Sequence, residues 1–354
     1  MARTVWAWAR VLGGAGIIAL LLWRLGTSAF LDGLRVIDGP TLLVAFLIGV
    51  ATTVFSAWRW CLVARGLGLR LSLRAAVADY YKALFLNAAL PGGVLGDVDR
   101  AVRHGRDAGD VGRGVRAVVL ERTAGQIVLV GVGVTVLLTV PSPVLTQLKA
   151  HSTAVAVTTA TVLGTAAVVL AACARVRRGT SRWARAARTG LGEVRDGLLA
   201  RRNLPGVLLA SVVVLAGHLA TFVVAARAAG SSAPLLRLAP LMLLALLAMT
   251  LPVNIGGWGP REGVTAWAFG AAGLSATQGL TIAVVYGLFA FVASLPGAAV
   301  LLSRAVRRAR SAAPALPDAA AAVPISVPVP APAAVRVVPE PVAVPVRLLA
   351  HSGA

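Results

Sequence analysis

Six apolar stretches, near residues 11–31, 41–64, 116–140, 152–174, 205–229 and 277–303, are each long enough to cross a bilayer as a helix. Such a crossing spans about 30 Å of hydrocarbon and takes roughly 20 residues. Lipid offers the backbone no hydrogen-bond partner, so stretches of this kind must satisfy their own N–H and C=O groups as helices. The expected fold class is therefore an all-α polytopic membrane protein with about six full spans. Composition agrees, with 58% hydrophobic and 13% charged residues and a mean hydropathy of +0.83, too apolar for a soluble domain of 354 residues. The net charge of +21 raises nucleic acid as a partner. The basic residues lie in short runs between apolar stretches, however, and no basic groove with interleaved aromatics can be traced, so no nucleic acid is expected.

Two further apolar runs, 75–90 and 236–251, are too short to span, and each ends in a broken polar segment. The first is Leu90-Pro-Gly-Gly-Val-Leu-Gly-Asp-Val-Asp-Arg100 and the second is Leu251-Pro-Val-Asn-Ile-Gly-Gly-Trp-Gly-Pro-Arg-Glu262. In both, a Leu-Pro pair is followed by a Gly five residues after the proline and an Arg nine after it. Interrupted segments at corresponding places in two halves point to an internal repeat and to a binding site between them.

Loop charge sets the orientation, because short cytoplasmic loops collect Arg and Lys. Arg3 and Arg10 place the N-terminus inside, and Trp23-Arg24 and Phe30-Leu31-Asp32 make a poor signal-peptide cleavage site, so the first stretch is read as a retained helix. Arg65, Arg70 and Arg74 are inside, as is the basic segment 175–203, expected to be an amphipathic helix on anionic lipid at the inner surface. The two spans 116–140 and 152–174 between these inside loops already make an even number of crossings. The region 75–100 must therefore enter from the cytoplasm and turn back at Pro91-Gly92-Gly93. The counterpart at 236–274 either dips from outside or crosses as two helices, and the short apolar part after Glu262 favours the dip. Two re-entrant segments opening from opposite faces would form an inverted repeat around a hydrated cavity. Residues 1–305 are expected to form the membrane domain, and 306–354 a disordered Pro/Ala/Val-rich cytoplasmic tail, placing both termini inside.

Ionisable residues that survive in apolar segments are functional candidates. On the first motif these are Asp79 and Lys82, which lie three apart and can pair, then Asn87, Asp97 and Arg100. Glu121 and Arg122 open the next span and can pair with Asp97 or Arg100, as a structural lock or as ligand contacts. On the second motif Asn254, Arg261 and Glu262 flank Gly256, Gly257 and Gly259. Glycines there permit positive φ, and freed amides at a half-helix N-terminus can receive an anion. Pro91, Gly92, Gly93, Gly96, Pro252, Gly256, Gly257 and Gly259 are the structural residues of the two breaks. Arg100 and Arg261 are expected to hold a phosphate as guanidinium forks, with Asp97, Glu121 and Glu262 balancing charge. His218 is read as a helix–helix hydrogen bonder, and Trp6, Trp8, Trp58 and Trp60 as interface-belt residues. Cys61 and Cys173 have no metal or disulfide spacing, and neither a nucleophile motif nor a phosphate-binding loop is present, so no enzyme, cofactor or metal is expected.

The two motifs, with Val119-Leu-Glu-Arg122 between them, resemble the lysylphosphatidylglycerol synthase transmembrane (flippase-like) family over roughly residues 10–305. That resemblance implies a bacterial inner-membrane protein that moves a polar or aminoacylated phospholipid, or a related glycolipid, between leaflets. Full-length members also carry a cytoplasmic aminoacyl transferase domain, for which the Pro-rich tail is no counterpart, and Pro260 replaces a more usual small or aliphatic residue. The alternative is a non-transporting scaffold or regulator of envelope glycolipid or polysaccharide assembly.

Overall fold

The computed structural model describes residues 33, 35–90, 93–142, 145–146, 192–250 and 258–312. Their long elements are helices: α1 (Gly39–Gly66), α2 (Leu73–Ala89), α3 (Leu95–Asp107), α4 (Val111–Thr139), α5 (Leu204–Ala228), α6 (Leu235–Ala248), α7 (Pro260–Ala271), α8 (Ala276–Ser294) and α9 (Pro296–Ala312). A π-helical turn at Arg195–Leu199 precedes α5. The contacts divide the chain into Met1–Arg307 and Arg308–Ala354, and the sites below lie in the first unit. The predicted spans 11–31 and 152–174, residues 175–191 of the basic segment 175–203, and the tail from 313 onward lie outside the described residues, as do Trp6, Trp8, Pro91, Gly92, Pro252, Asn254, Gly256 and Gly257.

Local chemistry sets the helix ends. The Asp38 carboxylate accepts from Thr41 N at 2.9 Å to cap α1, and hydrogen bonding from the Thr41 side chain, then from its N–H, holds the carboxyl below the usual range. Asp110 caps α4 in the same way through Arg113 N at 2.8 Å. Asp97 in the first turn of α3 and His104 and Arg106 in its last complement the helix dipole. Four described stretches are long and apolar enough to cross a membrane: Gly39–Gly66, Val111–Thr139, Leu204–Ala228 and Ala276–Arg307. They coincide with four of the six expected spans. The last differs in detail, because Pro296 divides it into α8 and α9, as a proline without an N–H must. Leu43 and Leu47 on α1, Ile127, Val134 and Leu138 on α4, and Leu208, Leu209 and Val212 on α5 are exposed, as apolar side chains facing lipid would be.

The shorter helices pair as hairpins. Along α2 and α3, Asn87 and Ala83 meet Gly96, Lys82 meets Asp99, and Asp79 meets Arg103, so the two helices run antiparallel. A Cβ at Gly96 would run into the Ala83 carbonyl, so only glycine permits the approach. In the second pair, Arg237 at the start of α6 donates to the Ala272 carbonyl just past α7 at 2.5 Å. Leu238, Leu241, Ala245, Ala268 and Phe269 fill one core there. At 1.5 Å per residue, α3 with 13 residues and α7 with 12 are each about 20 Å or less, too short for a crossing.

α1–α4 and α5–α8 have the same order: long helix, short hairpin, long helix. Their packing matches as well. α1·α2 has its counterpart in α5·α6, α2·α3 in α6·α7, α3·α4 in α7·α8, α1·α4 in α5·α8, α4·α5 in α8·α1, and α4·α6 in α8·α2. The remaining substantial contact joins α1 to α5. There Gly217 lies against Thr52, Ser211 against Arg59, Gly206 against Leu62 and Asn203 against Gly66, so the two corresponding helices are antiparallel.

Candidate functional site

The first hairpin brings its polar residues into one network with α1, α4 and α5. At the tip, Asn87 near the end of α2 accepts from Gly96 N at 2.8 Å and donates to Asp97 at 3.1 Å, closing the turn. Asp97 also accepts from Arg100 Nε at 2.9 Å and from Arg122 Nη2 at 2.8 Å on both of its oxygens. One turn deeper, fully buried Glu121 accepts from Arg59 through Nε at 3.0 Å and Nη2 at 2.5 Å, from Arg100 Nη2 at 2.7 Å and from the Tyr80 hydroxyl at 3.3 Å. Arg59 Nη1 reaches Ser211 on α5 at 3.1 Å. Tyr80 lies between guanidiniums, with Arg100 4.5 Å and Arg122 5.7 Å from its ring centre.

Two carboxylates thus face three guanidiniums in the protein interior, so the network keeps one positive charge in excess. Burying such charges is tolerable only while each remains paired, because desolvation of an isolated ion costs several kcal/mol. Of its charged side chains, Asp97 and Arg122 are the ones with appreciable exposure. Arg100 is fully buried, whereas the side chains of Asp97 and Arg122 are 16% and 38% exposed.

The second motif is arranged differently. Gly259 adopts φ +120°, Pro260 follows as the first residue of α7, and the Glu262 carboxylate accepts from Gly259 N at 2.7 Å. The sequence departure at Pro260 therefore sits where proline suits a helix start. Arg261 pairs with the adjacent Glu262 through Nε at 2.9 Å and through Nη2, and its guanidinium lies 5.2 Å from the Trp258 ring centre and 5.1 Å from that of Tyr286. His218 Nδ1 is 3.0 Å from the Tyr286 hydroxyl, joining α5 to α8 as a helix–helix bond.

Of the expected residues, Asn87, Gly96, Asp97, Arg100, Glu121 and Arg122 meet in the first network, and Gly259, Arg261 and Glu262 in the second. Gly93 adopts φ +61° just before α3. Asp79 and Lys82 do not pair. Lys82 bonds Asp99 at 2.6 Å and Asp79 bonds Arg304 at 2.6 Å, because the antiparallel partner and α9 offer better-placed charges. Trp60 is no belt residue: it is fully buried against Ala76, Tyr80 and Ala101. Arg59, Tyr80, Ser211 and Tyr286 enter the networks without having been singled out from sequence. Arg59 carried a usable signal, since it is an arginine inside an apolar span, masked by tryptophans on either side. Among the described residues no three His, Cys, Asp or Glu side chains gather as a metal would require.

Among curated proteins and among solved structures, nothing matches the chain. The family model described as the lysylphosphatidylglycerol synthase TM region matches residues 7–297, which includes both hairpins and all the residues of both networks. The chain is thus an integral membrane protein that belongs to the lysylphosphatidylglycerol synthase transmembrane-region family.

Proposed function

We propose that this protein is a lipid translocator of the bacterial inner membrane, moving a polar or aminoacylated phospholipid or glycolipid between leaflets without chemically altering it. The α2–α3 hairpin dips from the cytoplasmic face and the α6–α7 hairpin from the opposite one, as an inverted repeat with both termini inside. The short hairpin helices, the matched packing of the two halves and the antiparallel contact of α1 with α5 support this arrangement. The observation that carries the functional reading is the partly open network with more guanidiniums than carboxylates at the tip of the first hairpin. A head-group phosphate is the kind of ligand such a surplus attracts, and a guanidinium grips it with two parallel hydrogen bonds.

In this reading the head group enters a hydrated groove past Asp97 and Arg122 while the acyl chains remain in lipid. Arg100 stands behind them, held by Glu121 and Asp97 so that little reorganisation accompanies binding. Arg261 and Glu262 serve the other end of the path, where Glu262 fixes the N-terminus of α7. The test is leaflet transfer of a head-group-labelled phospholipid in proteoliposomes. Arg100→Ala, Arg122→Ala and Arg261→Ala should each slow transfer at least tenfold when the rate is normalised to folded protein. Wild-type rates in all three would sink the reading. Loss of a cellular phenotype only on truncation at Ser311 is what the scaffold alternative requires.

A further inference from the structure

Three buried nitrogens near the first network have no hydrogen-bond partner: Trp60 Nε1, Arg100 Nη1 and His104 Nε2. Two other buried atoms that fall short of bond geometry, Arg116 Nε and Glu193 Oε2, face each other at 2.5 Å, so the three nitrogens are the unsatisfied ones among the described residues. They belong to one cluster. The Arg100 guanidinium lies 4.7 Å from the Trp60 ring centre, the Trp60 and His104 rings meet edge to face at 5.5 Å, and His104 follows Arg100 by one turn of α3. A buried N–H without an acceptor is destabilising, and native proteins rarely leave several together.

Charge narrows what the missing acceptor is. Arg59, Arg100 and Arg122 outnumber Glu121 and Asp97, and on the flank of the hairpin the carboxylates of Asp79, Asp99 and Asp107 are each already paired with Lys82, Arg103 or Arg304. Water can accept from the nitrogens but cannot offset the charge. We propose that Trp60, Arg100 and His104 line an anion site that takes the phosphate of a lipid head group, reached past Asp97 and Arg122. The lipid as the source of the phosphate rests on the translocator reading. Trp60 and Arg100 donate, and His104 donates in its Nε2–H tautomer.

The test is equilibrium binding to the purified full-length protein of dihexanoyl phosphatidylglycerol, inorganic phosphate and dihexanoylglycerol, which lacks a phosphate. Trp60→Phe and His104→Phe keep a ring in place and remove the nitrogens. Each should weaken phosphatidylglycerol binding about tenfold, as loss of one charge-assisted hydrogen bond does, and His104→Gln should restore it to within about threefold. Dihexanoylglycerol should not distinguish wild type from variants. Wild-type affinity in both ring variants overturns the site, and inorganic phosphate binding as tightly as the lipid overturns the lipid source. Should neither ring variant fold, the wild-type unfolding temperature decides: it must rise with phosphatidylglycerol and stay unmoved by dihexanoylglycerol, and equal shifts refute the site. Wild-type affinity in both ring variants of a protein that transfers lipid overturns the site and leaves the translocator standing. Tight binding by a protein that transfers no lipid does the reverse.

Discussion

The two hairpins share a Leu-Pro, Gly and Arg spacing, yet they handle their arginines in opposite ways. Arg100 pairs with Asp97 one turn back on α3 and reaches across to Glu121 of α4, inside a network that also draws on α1, α2 and α5. Arg261 turns to the next residue in the chain, Glu262, which also caps its own helix. One motif ties five helices together and keeps a positive charge over; the other closes locally and is neutral. A repeated sequence pattern therefore fixes a hairpin without fixing what the hairpin holds, because the partners come from the flanking long helices.

That contrast breaks most sharply at the two carboxylates. Glu121→Ala leaves Arg59 and Arg100 buried without their main partner and should cost about 3–5 kcal/mol, read as a large fall in thermal unfolding temperature or in yield of folded protein. Glu262→Gln keeps an oxygen for Gly259 N and should cost roughly 1–3 kcal/mol. Equal losses would show that the second pair is no more local than the first. Next come the glycines. Gly96→Ala would drive a methyl into the Ala83 carbonyl and separate α2 from α3, whereas Gly259→Ala carries the strain of positive φ, on the order of 1–3 kcal/mol. Disulfide trapping between cysteines at 82 and 99 should accordingly fail in the first variant and persist in the second. Asn87→Ala frees Gly96 N and one bond to Asp97, about 1–2 kcal/mol, visible as faster hydrogen exchange over 93–97. The smallest effect belongs to Tyr286→Phe, which loses the His218 bond and about 0.6 kcal/mol, as interhelical bonds in membranes commonly do.

Length and hydropathy made the long helices readable, since a stretch buried in lipid has one backbone solution; four expected spans recur with ends set by Asp38, Asp110 and Pro205. Both short apolar runs recur as hairpin helices, signalled by the prolines that end them. Side-chain partners were less legible. Asp79 and Lys82 sit at helical spacing, so a local pair was the natural reading, but spacing says nothing of Asp99 or Arg304 arriving from other elements. Trp60 shows the same limit: tryptophans near a span end suit an interface, and only the packing of α2 and α3 on α1 buries this one. Arg59 was visible as a charge within a span and needed its partner Glu121 to acquire meaning.

Leaflet transfer of a head-group-labelled anionic phospholipid by Arg122→Gln in proteoliposomes is the most direct test. Arg122 is the exposed arm of the first network, so its loss spares the buried core. Transfer should fall at least tenfold with the unfolding temperature near wild type. A wild-type rate in that variant, or no transfer by the wild-type protein, would contradict a head-group path through the first hairpin.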